Sequence, residues 1–168
     1  MKNLIIAALA SIVLFSSCEK APIETSANEI LYYSSYESET DLEGYEGYAG
    51  IIAEEAPAGA GESSLLIDGG CIVPHLSFQI GPYLEGKNIS LSFIAKTDNG
   101  GSITLSSNEN PSDSENILIQ NTEWEDYLKK EIHNLEAGSQ LKISFISGGI
   151  AASKTWVDQL TLFVETEE

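Results

Sequence analysis

The chain has 168 residues with 8 basic and 26 acidic side chains, a formal charge of −18, and every basic residue is Lys. A chain this acidic and without a guanidinium cannot supply the cationic stripe that phosphate recognition needs, so nucleic acid is excluded as a partner. An apolar share of 42% with 20% charged residues is a globular composition, and the length fits about one domain.

Residues 1–17 read as a targeting segment. Lys2 gives a short positive start, and Leu4 to Phe15 is an apolar run of 12 residues. A membrane-spanning helix takes about 20 such residues, so the run fits the apolar core of a signal peptide. It leads through Leu14-Phe15-Ser16-Ser17 directly into Cys18. This resembles the lipobox of bacterial lipoproteins, in the looser form common in Bacteroidetes, with Phe15 where Leu is usual. The resemblance implies cleavage before Cys18, acylation of its thiol and new amino terminus, and anchoring in the bacterial outer membrane, on its periplasmic face or at the cell surface. Three acyl chains at about 0.8 kcal/mol per buried methylene hold far more firmly than one. An ordinary secretory signal followed by an unrelated Cys is the alternative.

With Cys18 acylated, only Cys71 remains, and no disulfide can form within the chain. Cys71 lies in the apolar run Gly70-Cys71-Ile72-Val73 and reads as a small buried hydrophobe. Residues 18–28 form a lipidated, polar tether, and the domain spans 29–168.

Beyond the tether the apolar pattern has period two. Ile30-Leu31-Tyr32-Tyr33 opens a strand ending near Glu37, and Ile51-Ile52-Ala53 and Ser64-Leu65-Leu66-Ile67 are short strands. Ile72 to Ile80 is interrupted by Pro74, which places it at an edge or a bulge. Ile89, Leu91, Phe93 and Ala95 alternate with polar residues up to Asp98-Asn99-Gly100-Gly101, a tight-hairpin signal, and Ile103 and Leu105 return. Ile117-Leu118-Ile119 follows an acidic loop. Thr122 to Ile132 carries helix-like charges, yet Trp124, Leu128 and Ile132 keep strand parity. Leu141, Ile143 and Phe145 form another strand, and Leu160, Leu162 and Val164 the last. The expected fold class is all-β, a single antiparallel β-sandwich with two sheets packed face to face.

Several stretches resemble galactose-binding-like jelly rolls: Tyr36-Glu37, Asp41-Leu42-Glu43-Gly44-Tyr45, Gly61-Glu62-Ser63-Ser64-Leu65-Leu66-Ile67, Leu84 to Lys96, Thr122-Glu123-Trp124-Glu125-Asp126-Tyr127, and Thr155-Trp156-Val157-Asp158-Gln159-Leu160-Thr161-Leu162. Together they cover roughly residues 30–165. That family includes carbohydrate-binding modules attached to polysaccharide-degrading enzymes. The resemblance implies a jelly-roll topology, a glycan ligand, and a structural Ca²⁺ held by an Asp of the closing strand and a Glu at the end of the first strand. Here these are Asp158 and Glu37, with Glu39 and Asp41 as further candidates. Calcium takes 6–8 oxygen ligands. The rival reading is that Asp158 accepts backbone N–H groups and that residues 37–41 are solvated.

Sugar rings stack their C–H faces on aromatic rings, and Tyr45 and Tyr48 lie in the Gly-rich stretch Glu43 to Gly50, where rings have no evident packing role. Tyr83 is a third candidate. Rim packing competes for Tyr45 and Tyr48, and Trp124 and Trp156 are assigned to the core by parity. Only His75 and His133 could serve as neutral-pH bases, and they fall in different strands. No nucleophile elbow, metalloprotease helix or phosphate loop occurs. The expectation is a non-catalytic, lipid-anchored glycan-binding module; the alternative is a structural lipoprotein that docks on an envelope protein partner without binding sugar. Cys18→Ala is expected to leave the fold intact and move the protein to the soluble fraction; persistence in the membrane pellet would contradict the lipobox.

Overall fold

The computed structural model describes residues 29–47, 50–68, 75–81, 89–107, 114–132, 140–148 and 153–164. Cys18, Tyr48, Cys71, Tyr83 and His133 lie outside the described residues, as do the signal segment and the tether.

Among the described residues eleven strands form a β-sandwich: β1 (Glu29–Ser34), β2 (Glu46–Gly47), β3 (Gly50–Ala53), β4 (Ser64–Asp68), β5 (His75–Ile80), β6 (Ile89–Thr97), β7 (Gly101–Ser107), β8 (Ser114–Ile119), β9 (Glu125–Ile132), β10 (Leu141–Ser147) and β11 (Lys154–Val164). A single 3₁₀ turn, Glu39–Leu42, follows β1. One sheet has six strands, in the order β3-β4-β11-β6-β9 with β1 also on β11; the other has five, β2-β5-β10-β7-β8. Every pairing is antiparallel.

The alternation read from the sequence is the alternation that packs the core. Leu91, Phe93 and Ala95 of β6, Ile103 and Leu105 of β7, Leu141, Ile143 and Phe145 of β10, and Leu160 and Leu162 of β11 are all buried between the sheets. Each large side chain so buried contributes roughly 1.5–3 kcal/mol of transfer free energy. The Asp98–Gly101 segment makes the β6–β7 connection, and Gly100 takes the positive φ of 85° that this connection requires. The charged stretch after Thr122 is strand β9, because pairing with the apolar β6 outweighs its helix-like charge pattern. The first strand ends at Ser34, before Glu37, since Tyr36 turns the chain with φ 54°.

Strand β11 organises the six-stranded sheet. Its first half pairs with β4, from Lys154↔Asp68 to Val157↔Leu65, and its second half pairs on the same side with β1, from Leu160↔Ser34 to Val164↔Glu29. On its other side β6 runs the whole length, with a register shift between Asp158 and Thr161. One extra residue therefore enters β11 where it changes neighbours, and Gln159 takes φ 48° there.

That bulge corrects the parity read for Trp156. Counting back from Leu160 and Leu162 puts Trp156 in the core. Across the inserted residue the inward set becomes Thr155 and Val157, so Trp156 faces outward and is only half-buried. Strand β9 departs in the same way. Tyr127 stacks on core Phe93 with ring centroids 4.8 Å apart, while Leu128 is 56% exposed. The core takes Tyr127 rather than the Trp124 and Leu128 set.

Candidate functional site

Three constellations bear on function, and the first contains Tyr45. Its ring stacks on Phe78 at 4.4 Å and lies 6.2 Å from Phe145, between the outgoing end of β1 and the five-stranded sheet. Its hydroxyl meets those of Tyr36 at 2.9 Å and Tyr32 at 3.0 Å. Tyr36 is fully buried, and desolvation raises all three phenols above the ordinary tyrosine range, so they stay neutral. This arrangement is the rim-packing alternative for Tyr45: the ring face a sugar would use lies against Phe78. The sequence left rim packing and sugar contact both open for Tyr45, because it sits in a loop whose direction depends on tertiary contacts. Tyr45→Phe removes the hydroxyl that joins the other two and leaves Tyr36 with a buried, unpartnered O–H. It is expected to cost about 1–3 kcal/mol in urea unfolding.

The second constellation lies where β11 changes neighbours. Asp158 is completely buried. Its Oδ1 accepts the Gln159 N–H at 2.7 Å, and its Oδ2 has no hydrogen-bond partner among the described residues. Glu37 reaches the same gap from the end of β1. Its Oε2 accepts the Glu62 N–H at 3.2 Å, and its Oε1 fills the space that a Cβ on Gly61 (φ 123°) would need. Burial first, and the negative charge of Glu37 second, push Asp158 up to about 6. The two non-glycine residues with positive φ, Tyr36 and Gln159, directly neighbour Glu37 and Asp158. Such strain persists only where surrounding structure imposes it.

A buried carboxylate facing a second negative charge requires a proton or a cation. The orphaned Oδ2, the Glu37 carboxylate and the unladdered backbone of the gap fit a hard cation with oxygen ligands. Glu39 and Asp41 do not join them. Asp41 accepts the Ser38 N–H at 3.2 Å as the capping group of the 3₁₀ turn, and Glu39 is exposed on that turn. Among the described residues no three His, Cys, Asp or Glu side chains converge on one point; of the four carboxylates, Glu37 and Asp158 act on one another at one gap.

For the metal-free protein the sign of the pH dependence follows from Asp158. Its folded-state pKa lies above the unfolded value, so the folded state holds the proton more tightly. The contribution of this group is present below about pH 4 and is lost as pH rises to about 6. Asp158→Asn is expected to stabilise the metal-free domain at neutral pH by about 1–3 kcal/mol and to flatten that part of the profile, as read by thermal melts between about pH 4 and pH 7.

The third constellation stands on the outer face of the six-stranded sheet. Lys96 on β6 pairs in register with Trp156 on β11, and Trp124 stands just before β9, beside the Ala95↔Glu125 pair. The Lys96 ammonium lies 4.9 Å from the Trp156 ring centroid and 5.0 Å from that of Trp124, and it is ion-paired with Glu55. Leu66 continues the row beyond Trp156, and Ile51 beyond Leu66. Parity reasoning missed this cluster. The signal available was Trp156 between Thr155 and Val157, two β-branched residues suited to the inward positions.

The outer face of the five-stranded sheet differs. Ser144 lies between Ser77 and Thr104, and Lys142 between Gln79 and Ser106. The Thr104 hydroxyl donates to Asn116 Oδ1 at 3.1 Å. His75 opens β5 on this face opposite Ile146.

No family model matches the chain, and no curated protein matches it in sequence. Solved structures do. The xylan-binding family 22 carbohydrate-binding module of Paenibacillus barcinonensis Xyn10C superposes with a TM-score of 0.60 at 15% identity, covering 84% of this chain and 98% of that one. The C-terminal family 22 module of Clostridium thermocellum Xyn10B gives 0.57 at 9% identity over 80% and 92%. The module TmCBM61, solved with β-1,4-galactotriose, gives 0.52 at 18% identity over 72% and 87%. At these identities the likeness establishes the fold: this chain is an antiparallel β-sandwich of the kind seen in carbohydrate-binding modules.

Proposed function

We propose that the protein is a non-catalytic glycan-binding module, anchored to the bacterial outer membrane through acylated Cys18 and braced by a calcium ion at Glu37 and Asp158. The observation that carries the glycan reading is whole-domain correspondence. The chain spans 98% of a module described as xylan-binding and 87% of one solved with β-1,4-galactotriose. The lipobox sequence Leu14 to Cys18 supports the anchor, and among the described residues no helix is long and apolar enough to cross a membrane.

Calcium is supported by the orphaned Asp158 Oδ2 and by the two strained residues that aim Glu37 and Asp158 into one gap. Bound there, the ion supplies positive charge and coordination. Asp158 and Glu37 hold it, Gly61 leaves room for the Glu37 carboxylate, and the outgoing end of β1 is tied to the start of β4. Tyr48 and Tyr83 remain candidates for sugar contact from the loops.

The docking alternative also has one specific support. Ile30, Tyr33, Ile51 and Leu128, four large exposed apolar residues, all face outward on the six-stranded sheet. Such a patch would suit an envelope protein partner.

A glycan array probed with the purified chain, with calcium and with chelator, tests the main reading. Retention on at least one plant or microbial polysaccharide is expected; failure on every glycan would favour docking. Calcium should raise the melting temperature at about pH 7.5, and the rise should shrink below about pH 6 as Asp158 takes up its proton. Asp158→Asn and Gly61→Ala should each abolish the calcium-dependent rise. A melting temperature indifferent to calcium in the unaltered protein would overturn the metal.

A further inference from the structure

The chain contains two tryptophans, and both flank one ammonium group on an outer sheet face. Trp156 lies opposite in direction to buried Thr155 and Val157, and Trp124, just before β9, keeps the parity of exposed Leu128. Lys96 is three-quarters or more covered by this company, its side chain being 16% exposed, while its partner Glu55 is 45% exposed. The two rings stand on opposite sides of β6, two strand spacings or about 10 Å apart, in a row that runs across the strands. Leu66 packs beside Trp156 and extends the row.

We propose that this row, Trp124, Lys96, Trp156 and Glu55, is a binding site for an uncharged pyranose chain. The inference rests on the glycan-binding reading above and adds to it the location of the site and the charge of its ligand. One face of each indole is turned to the Lys96 ammonium, and the other offers a flat, polarisable surface to the C–H face of a sugar ring. The Lys96–Glu55 pair between them offers a donor and an acceptor for hydroxyls at no net charge. A chain lying along the row meets an aromatic ring, a polar pair and a second aromatic ring in turn. The cation–π contacts hold the rings in place before binding, which reduces the ordering cost of association.

The charge selectivity follows from what surrounds the row. Lys96 is already neutralised by Glu55, and Asp126 and Glu125 of β9 lie on the neighbouring rungs. With 26 acidic residues against 8 basic in the chain, a uronic-acid polymer approaching this face meets repulsion and finds no unpaired cation in the row. The site favours neutral hexose or pentose polymers over anionic ones.

Because both tryptophans sit here, intrinsic indole emission reports on this site alone. The full chain carrying Cys18→Ala is titrated with xylo-, cello-, galacto- and manno-oligosaccharides, with oligogalacturonate as the anionic probe, and the same glycans are run in native affinity gels. At least one neutral series should shift the emission saturably and retard the protein. Trp156→Ala should weaken that binding roughly tenfold or more, in the range of an aromatic anchor. Trp124→Phe and Glu55→Gln, which keep the bulk of the side chain, should weaken it less while melting as the unaltered protein does. Retardation with unchanged emission, and undiminished in Trp124→Phe and Trp156→Ala, would overturn this site while leaving the glycan reading intact. Retardation by oligogalacturonate alone would overturn the charge assignment. Neither shift nor retardation with any glycan would overturn site and glycan reading together.

Discussion

Strand β11 has to serve two neighbours on one side, β4 for its first half and β1 for its second, while β6 spans it on the other. A strand cannot exchange partners at this point and keep an unbroken ladder, and the chain accommodates the exchange with one extra residue at Asp158–Gln159. Much else follows from that insertion. It leaves a short length of β11 backbone outside the ladder on one side, and the end of β1 and the loop before β4 close on the gap. It also drives Asp158 out of reach of solvent and reverses which side chains of β11 face the core.

The electrostatics of the gap are a consequence of composition as well as topology. With no Arg in the chain and few Lys, the buried Asp158 has no guanidinium to meet it, and the carboxylate nearest in effect is Glu37, of like charge. Desolvation and repulsion both act against its ionised form. The same scarcity of cations makes Lys96 notable: its ammonium lies between two indoles and is ion-paired with Glu55.

The two outer faces divide the chemistry. The five-stranded sheet presents the polar Ser144, Thr104, Asn116, Lys142 and Gln79, with Leu118 exposed beside them. The six-stranded sheet presents the tryptophans with Ile51, Leu128, Tyr33 and Ile30. Between the faces the tyrosine cluster closes the sandwich near the end of β1. Three phenols share hydrogen bonds over Phe78, so the loop carrying Tyr45 is held by the core rather than free to present its ring. A tyrosine can be buried if its O–H finds another, whereas the tryptophans were placed where the sheet surface is open.

Local pattern determined the elements. Alternation at Ile89 to Ala95, at Ile103 and Leu105, at Leu141 to Phe145 and at Leu160 to Val164, with the Asp98–Gly101 connection, was sufficient to specify strands and an oily interior between two sheets, because period-two burial is a property of the strand itself. By resemblance the sequence also grouped Asp158 with Glu37, Glu39 and Asp41, and the fold brings Glu37 into electrostatic reach of Asp158. What depended on tertiary structure was direction. Parity counted along β11 fails across a bulge, so Trp156 faces out, and a register shift between Lys129 and Ile132 does the same in β9, turning Tyr127 inward in place of Trp124 and Leu128. Tyr45 turns inward because Tyr32, Tyr36 and Phe78 await it from distant parts of the chain, and Asp41 leaves the carboxylate set because its own turn claims it. A residue's type and spacing define which face it shares with its neighbours; which of two faces meets the core is decided only when strands far apart in sequence pair.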